Sequence, residues 1–234
     1  MAETIKPIRP IRSYVRREGR MTRAQRRALD TLWERYGLDG GAGILDLDAL
    51  FGRRAPRCLE IGFGMGEALA ALAQAHPERD YLGIEVHRPG VGALLARLES
   101  LGLTHVRLFC ADAVDVVQHC LPAACLDAVY VFFPDPWPKK RHHKRRLVQP
   151  EFIELLAAKL RPGGVLHLVT DWEDYARHMM QVMEHCALFI NTAGPGNFAP
   201  RGERPPTRFE RRGRQLGHRV WDLVFERRSP GVPG

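Results

Sequence analysis

The chain has 234 residues, of which 45% are hydrophobic and 26% are charged. This balance is typical of one well-buried α/β domain with short extensions, and it excludes a disordered chain or two full catalytic domains. The apolar runs are far shorter than the ~20 residues of a membrane-spanning helix, and the basic N-terminus has no apolar signal-peptide core. We therefore expect a cytoplasmic protein without membrane contact. Five scattered cysteines without a C-x-x-C pair indicate neither a disulfide framework nor a metal site.

The formal net charge of +8 is distributed unevenly along the chain. Residues 1–35 hold ten Lys and Arg against four acids, residues 139–146 hold six with two histidines and no acid, and residues 201–228 hold nine against four. Residues 36–138 reverse the balance, with seven basic residues against thirteen acids. This pattern favours one surface that meets a polyanion and a separate pocket for another ligand.

Hydrophobic periodicity predicts alternating strands and helices from residue 57 onward. Before them, residues 22–36 form a predicted helix with Thr22 as its N-cap, and glycines at 40, 41 and 43 break the chain. The predicted strands are 57–62, 81–86, 106–112, 126–133, 165–171 and 218–227, with 187–193 as a further possible strand. The predicted helices are 67–77, 90–102 and 174–186.

Strands that alternate with helices predict right-handed crossovers and a mostly parallel sheet of about seven strands with helices on both faces. The expected architecture is a three-layer Rossmann-like α/β sandwich. Residues 21–228 form the predicted single domain, residues 1–20 a flexible basic arm and residues 229–234 a short flexible tail. Ligands of such sheets bind beyond the carboxyl ends of the strands.

The first of these strands ends in a glycine-rich turn that contains Gly62, Gly64 and Gly66. Glycines allow a tight turn and a close approach of the backbone to a ligand. The G-x-G-x-G spacing and Glu60, two residues before the first glycine, favour S-adenosyl-L-methionine over a dinucleotide. A carboxylate there repels a pyrophosphate but attracts the ammonium and sulfonium of S-adenosylmethionine.

The next two strands also end in acids. Glu85 is placed to accept hydrogen bonds from ribose hydroxyls, which fits NAD equally well. Asp112 is placed to accept from an adenine amine. Each alone is compatible with an exposed strand-end carboxylate or a helix N-cap, but acids at three successive strand ends favour a cofactor pocket.

The strand 126–133 leads into Pro134-Asp135-Pro136-Trp137-Pro138 and then into a run of cationic residues. The prolines predict a stiff, extended loop that projects Asp135 into the site. Eight consecutive cationic or potentially cationic residues repel one another, so an anionic partner explains them better than a solvated surface. The predicted RNA-binding residues after Lys139 are Lys140, Arg141, His142, His143, Lys144, Arg145 and Arg146.

The segment FPDPWPKKRHHKRR resembles the signature of bacterial tRNA (guanine-N7)-methyltransferases. The resemblance continues through EIGFGMGEAL, GIEVHRPGV, the VTD that ends at Asp171, Thr207–Glu210 and residues 212–218, and it covers roughly residues 55–227. It implies a class I methyltransferase fold, S-adenosyl-L-methionine as cofactor with S-adenosyl-L-homocysteine as product, and methylation of the variable-loop guanosine at position 46 of tRNA.

The resemblance also implies roles for individual residues. Cofactor contacts are implied for Glu60, Glu85, Asp112 and Asp135, and Asp135 is the expected catalytic residue. The expected substrate contacts are Lys139, Asp171, Thr207, Arg208, Phe209 and Glu210. Neither the N-terminal arm nor residues 193–206 receive a role, and the chain is expected to act as a monomer or homodimer without an obligatory second subunit.

Guanine N7 carries a lone pair and no hydrogen, so its methylation needs positioning and charge stabilisation rather than a strong general base. Methylation of another RNA base is a weaker alternative, because Pro134-Asp135-Pro136-Trp137 differs from the Asn/Asp-Pro-Pro-Tyr loops of amine-directed enzymes. A non-catalytic tRNA-binding module and a dehydrogenase remain as alternatives from other classes.

Overall fold

The computed structural model describes residues 12–14, 19–41, 43–202, 204–205, 210 and 219–229. Its strands are β1 (Gly37–Leu38), β2 (Arg57–Ile61), β3 (Asp80–Ile84), β4 (Val106–Phe109), β5 (Leu126–Phe132), β6 (Leu160–Thr170), β7 (Phe189–Asn191) and β8 (Trp221–Arg227). Its α-helices are α1 (Arg23–Tyr36), α2 (Leu47–Phe51), α3 (Glu67–Ala75), α4 (Arg88–Ser100), α5 (Ala113–His119), α6 (Pro150–Lys159) and α7 (Glu173–His185). A 3₁₀ helix, η1, covers Lys140–Arg145.

The strands form one sheet in the order β1-β4-β3-β2-β5-β6-β8-β7. The pairs from β1 to β6 are parallel, and β8 is antiparallel to both β6 and β7. The strand order reverses between β2 and β5, which are direct neighbours. This is the topological switch point, where open α/β sheets bind their ligands. The glycine loop (residues 62–66) follows β2, and the proline loop (residues 133–138) follows β5.

Two apolar cores lie on the two faces of the sheet. Successive side chains of a strand point to opposite faces, and in β2 Cys58 belongs to one core while Leu59 and Ile61 belong to the other. The core around Cys58 includes buried residues of α1, α3 and α4, and the core around Leu59 includes those of α2, α5, α6 and α7. The three-layer α/β sandwich predicted from the sequence is therefore confirmed.

The described residues form eight strands rather than the predicted seven or so. The additional strand is β1, two residues that pair with Leu108 and Phe109 and are too short to produce an alternating pattern. Helices α2, α5 and α6 were not predicted either. The valines of α5 and the five-residue length of α2 explain two of these omissions, because β-branched residues and short segments give weak helical signals.

The predicted N-cap of α1 is confirmed. The Thr22 hydroxyl accepts from the backbone N–H of Gln25 at 3.2 Å, and the Gln25 side chain accepts from the backbone N–H of Thr22 at 2.9 Å. This capping box satisfies two donors that the helix itself leaves unpaired. Within the described part of the chain, no helix is both long and apolar enough to cross a membrane.

Helix α1 packs closely on α4 at Gly92. A Cβ atom built on Gly92 would lie 2.5 Å from the backbone carbonyl oxygen of Gln25, a distance that forces the backbones apart. Gly92 is therefore required by the contact between the two helices rather than by a turn, since its backbone is helical.

Gly92→Ala is expected to destabilise the protein, although alanine favours a helix over glycine by about 1 kcal/mol. Overpacking against a backbone atom costs about 1–3 kcal/mol and outweighs that gain. Urea unfolding measures the difference, and Ala96→Gly, on the exposed side of α4, gives the propensity effect alone. A gain in unfolding free energy for Gly92→Ala would contradict the proposed packing.

Candidate functional site

The loop between β2 and α3 turns on glycines with left-handed backbone. The φ angles of Gly62, Gly64 and Gly66 are +74°, +57° and +73°. A Cβ on Gly62 or Gly64 would meet nothing within 4 Å, whereas one on Gly66 would lie 2.6 Å from Leu94. Gly62 and Gly64 therefore present bare backbone to open space, and Gly66 allows α3 to begin against α4.

The open space is a cavity of about 450 Å³ at the carboxyl edge of the sheet. Its size is within the range of roughly 300–1,000 Å³ that is usual for small-molecule sites. The ends of β2, β3 and β5 form its walls. Of the residues predicted from the sequence, Gly62, Gly64, Glu85 and Asp135 line this cavity.

Glu85 ties two loops of this cavity together. Its Oε2 accepts from the backbone N–H of Gly64 at 2.8 Å, and its Oε1 accepts from the N–H groups of Val86 at 2.7 Å and His87 at 2.9 Å. The carboxylate thus fixes the glycine loop after β2 against the start of α4. Sequence reasoning predicted Glu85 as a ligand contact but not this second role.

Glu60 lies within β2 and is only 3% exposed. Among the described residues, its Oε2 has no hydrogen-bond partner. Burial, with a smaller contribution from the charge of Glu85, raises the pKa of Glu60 to about 8. A buried carboxyl group in this state is stabilised in its charged form by a cation, so the site fits a ligand that carries positive charge.

Asp112 begins α5 as its N-cap, and its Oδ1 accepts from the backbone N–H of Val114 at 3.0 Å. Its neighbours Ala111 and Ala113 line the main cavity, while Asp112 itself lines a second cavity of about 510 Å³. The two cavities share Ser13 and Leu147, so they are adjacent.

The proline loop is turned sharply near both ends instead of being extended throughout. Phe133 and Trp137 have left-handed φ angles of +53° and +47°, a strained backbone conformation for aromatic residues that is found mainly at functional sites. The backbone N–H of Phe133 donates to the carbonyl of Val169 at 2.8 Å, which extends the pairing of β5 with β6. Asp135, exposed between the two turns, faces the cavity.

The basic run, residues 139–146, contains η1, and its side chains divide into exposed ones and ones that pack against the protein. Lys139, Lys140, Arg141 and Lys144 are exposed. His142 lies edge-on against Trp137, and partial burial together with the surrounding cations lowers its pKa. It therefore adds no positive charge to this surface at neutral pH.

Arg146 differs from the other members of the run because it is buried. Its guanidinium donates to the carbonyl of Pro136 at 3.0 Å, lies 3.1 Å from His143 Nε2, and pairs with Asp174. It also stacks over Tyr175 at 4.8 Å. These contacts fix the proline loop to α7, so Arg146 does not fit the direct RNA contact predicted for it.

Part of the N-terminal arm lies over the cavity. Trp137 Nε1 donates to the carbonyl of Ser13 at 3.0 Å, and Arg145 donates to the carbonyls of Arg12 at 3.2 Å and Tyr14 at 3.3 Å. The Arg145 guanidinium stacks 4.1 Å from the Trp137 ring. Ser13 and Tyr14 line the cavity. Sequence reasoning gave the arm no role, because these contacts are made by its backbone carbonyls.

Two of the remaining predicted residues, Asp171 and Glu210, belong to the described part of the chain. Asp171 directly follows β6, the strand next to β5, so it stands at the same edge of the sheet as Asp135. Glu210 is 1% exposed and pairs with Arg201 at 2.8 Å and with Arg204. Thr207, Arg208 and Phe209 lie outside the described residues.

The fold is shared with known methyltransferases. The 16S rRNA methyltransferase KamB aligns with a TM-score of 0.56 at 15% identity, covering 80% of this chain and 95% of that one. An S-adenosylmethionine-dependent O-methyltransferase from Thermotoga maritima aligns with a TM-score of 0.51 at 14% identity, covering 80% and 65%. The sheet, with its glycine loop at the switch point, is that of the class I methyltransferases.

Sequence comparison narrows the class to a family. Residues 54–223 match the family model described as putative methyltransferase. A tRNA (guanine-N(7)-)-methyltransferase of Alkalilimnicola ehrlichii is 61% identical over 95% of each chain, and that of Alcanivorax borkumensis is 57% identical over 97% of this chain and 95% of its own. That of Pseudomonas aeruginosa is 55% identical over 95% and 91%. This chain belongs to the bacterial tRNA (guanine-N7)-methyltransferase family, which confirms the resemblance seen in its motifs.

Glu60→Gln is expected to stabilise the ligand-free protein in a pH-dependent way. The pKa of Glu60 rises from an ordinary value of 4.5 to about 8 on folding, so ionisation disfavours the folded state. The wild type loses unfolding free energy as the pH rises through this window, by up to about 1.4 kcal/mol per pH unit. The advantage of the variant therefore grows between pH 4.5 and 8 and is constant above that range.

Chemical unfolding across the pH series measures this difference. Glu34→Gln, an exposed substitution on α1, is the matched control and should show no such slope. A stability difference between Glu60→Gln and wild type that is independent of pH would contradict the raised pKa.

Proposed function

We propose that the chain transfers the methyl group of S-adenosyl-L-methionine to N7 of the variable-loop guanosine, position 46, of tRNA. The observation that carries this proposal is one continuous edge of the sheet. It holds the cavity that Gly62 and Gly64 line, then Asp135, and then the exposed cations of η1. The buried Oε2 of Glu60, two residues before Gly62, has no hydrogen-bond partner among the described residues. The names of relatives that are 55–61% identical over nearly the whole chain support the same reaction.

The residues of the cavity fit S-adenosyl-L-methionine. Glu60 would hold the positively charged methionine portion of the cofactor. Its buried carboxyl group has a raised pKa, and a nearby positive charge stabilises the ionised form of such a group. The bare backbone of Gly62 and Gly64 leaves room for a ligand. Glu85, in the same cavity, is proposed for the ribose, and Asp112, in the adjacent cavity, is proposed for the adenine. The bound cofactor supplies an electrophilic methyl group on a sulfonium, and S-adenosyl-L-homocysteine is the product.

Asp135 is the proposed catalytic residue. It is exposed toward the cavity on a loop that is held at both of its turns, so its carboxylate is positioned before a substrate arrives. We assign it the guanine N1–H and amino group as hydrogen-bond donors. Its negative charge also favours the positive charge that develops on the purine when N7 is alkylated. No proton leaves N7, so no general base is assigned.

The exposed cations Lys139, Lys140, Arg141 and Lys144 are the proposed phosphate contacts. Arg146 is left out of this surface because it is buried against Tyr175 and paired with Asp174. The predicted substrate contacts of Asp171 and of residues 207–209 remain part of the proposal. Glu210 is left out of it for the same reason as Arg146, because it is buried and paired with Arg201 and Arg204.

The test of the proposal is methyl transfer from labelled S-adenosyl-L-methionine to an unmodified tRNA transcript, followed by strand cleavage specific for N7-methylguanosine. A second transcript carries adenosine in place of the variable-loop guanosine. Label and cleavage in the first transcript alone support the reaction and its site. Label without cleavage would reject N7, and binding of tRNA and cofactor without label would indicate a non-catalytic binding module.

Asp135→Ala is expected to abolish methyl transfer while tRNA affinity stays within about twofold. The reason is that a carboxylate aimed at the base acts on the transition state, whereas phosphate contacts supply most of the affinity. Single-turnover transfer and filter binding measure the two effects, with Asp30→Ala on the exposed side of α1 as control. Activity within about tenfold of wild type, equal to ~1.4 kcal/mol of barrier, would refute the assignment.

Replacement of Lys140 and Lys144 by alanine is expected to weaken tRNA binding and to make that binding less dependent on salt concentration. Each lost phosphate contact lowers the slope of log K against log salt by about 0.7–0.9, so the double variant should lose roughly 1.5. The control is Arg54→Ala with Arg161→Ala, two exposed cations at the opposite edge of the sheet. An equal loss of slope in both double variants would show that the surface of η1 has no special part in binding.

A further inference from the structure

A buried network of charges lies behind the start of the proline loop. Its centre is Arg204, which is 6% exposed. The Arg204 guanidinium donates to both carboxylate oxygens of Asp222, at 2.6 and 3.1 Å, and its third nitrogen donates to Glu210. One side chain thus holds two buried carboxylates: Asp222 on β8 is 3% exposed and Glu210 is 1% exposed.

 

Further donors complete the network. Asp222 Oδ1 lies 2.8 Å from His167 Nε2, and Glu210 Oε1 accepts from Arg201 at 2.8 Å. Burial alone would raise the pKa of Asp222 and Glu210, but the hydrogen bonds and the charge of the arginines outweigh it and lower both pKa values. Both carboxylates are therefore charged at neutral pH, and the two positive charges of Arg201 and Arg204 compensate them.

Arg204 also contacts the aromatic pair that begins the proline loop. Its guanidinium carbon lies 5.9 Å from the ring centroids of both Phe132 and Phe133. Phe132 is held from another side by His167, edge-on at 5.4 Å. Phe133 has the left-handed φ of +53° and lines the cavity with Asp135, so a shift of Arg204 changes the support of the turn that carries Asp135.

The same arginine joins two points of the chain that are six residues apart, since Arg204 pairs with Glu210. The residues between them include Thr207, Arg208 and Phe209, which the sequence predicts as substrate contacts. Arg204 and Glu210, the two ends of this stretch, are thereby linked to β8 through Asp222.

We propose that Arg204 is a positioning residue of the methyl-transfer site, which holds the Phe133 turn, and with it Asp135, against β8 and Glu210. This inference rests on the proposed function. A buried ion pair adds little net stability compared with apolar packing, whereas the rigid fork of a guanidinium fixes direction. Alignment of Asp135 with the reacting base is what such a fork supplies here.

Arg204→Lys tests this, because lysine keeps the charge but cannot bind two carboxylates in a fork. We expect kcat for tRNA methylation to fall by about 100-fold, as a displacement of about 1 Å at a reacting centre does. The KM for tRNA and the affinity for S-adenosyl-L-homocysteine should stay within about threefold. Arg227→Lys is the control, since Arg227 lies on the same strand as Asp222 but donates to the carbonyl of Ala157 on α6.

Asp222→Asn provides a second route that leaves Arg204 in place. It should lower kcat in the same way, and the double variant should lose no more than about threefold beyond the worse single variant, because the two residues act as a unit. The stoichiometry of S-adenosyl-L-homocysteine binding by calorimetry gives the folded fraction of each variant, and kcat is expressed per folded site.

A kcat per folded site within about threefold of wild type in either single variant would overturn the positioning role. A loss confined to stability, with normal kcat, would do the same and leave Arg204 a structural residue. Absence of tRNA methylation by the unchanged chain would instead overturn the proposed function, and this inference with it.

Discussion

The arrangement of the site depends on the three backbone N–H groups that Glu85 binds. Its carboxylate connects Gly64, in the loop after β2, with Val86 and His87 at the start of α4. These contacts hold the glycine loop open, so that backbone rather than side chains faces the cavity. They also keep a negative charge close to Glu60, which contributes to its raised pKa. Burial, together with this anchoring carboxylate, thus makes the carboxyl group of Glu60 receptive to a cation.

Many of the site residues at the carboxyl edge of the sheet could be predicted from the sequence, because parallel strands joined by crossovers end on the same side of a sheet. The glycine spacing, Glu60 and Glu85 could therefore be assigned to one pocket from the sequence. Asp112 illustrates the limit of that reasoning. Its position at a strand end was predicted, but its use as the N-cap of α5 was not distinguishable from a ligand contact, since α5 itself gave no helical pattern.

The basic run shows that a sequence alone does not distinguish exposed from buried cationic residues. Eight neighbouring residues look equivalent as a string, yet Lys140 is exposed while Arg146 is buried. The difference comes from Asp174 and Tyr175 on α7, which are distant in the chain and supply the partners of Arg146. The contacts of the arm were invisible for a related reason. Backbone carbonyls such as that of Ser13 have no signature in side-chain chemistry.

The proline loop combines these long-range contacts. Left-handed backbone at an aromatic residue costs of order 1–3 kcal/mol, and the loop has two such residues, Phe133 and Trp137. Each lies against an arginine, Phe133 against Arg204 at 5.9 Å and Trp137 against Arg145 at 4.1 Å. Asp135 stands between the two turns, so its position is determined from both sides. Because a methyl transfer without a general base relies on alignment, the strain at the two turns is consistent with a loop built to hold one carboxylate in place.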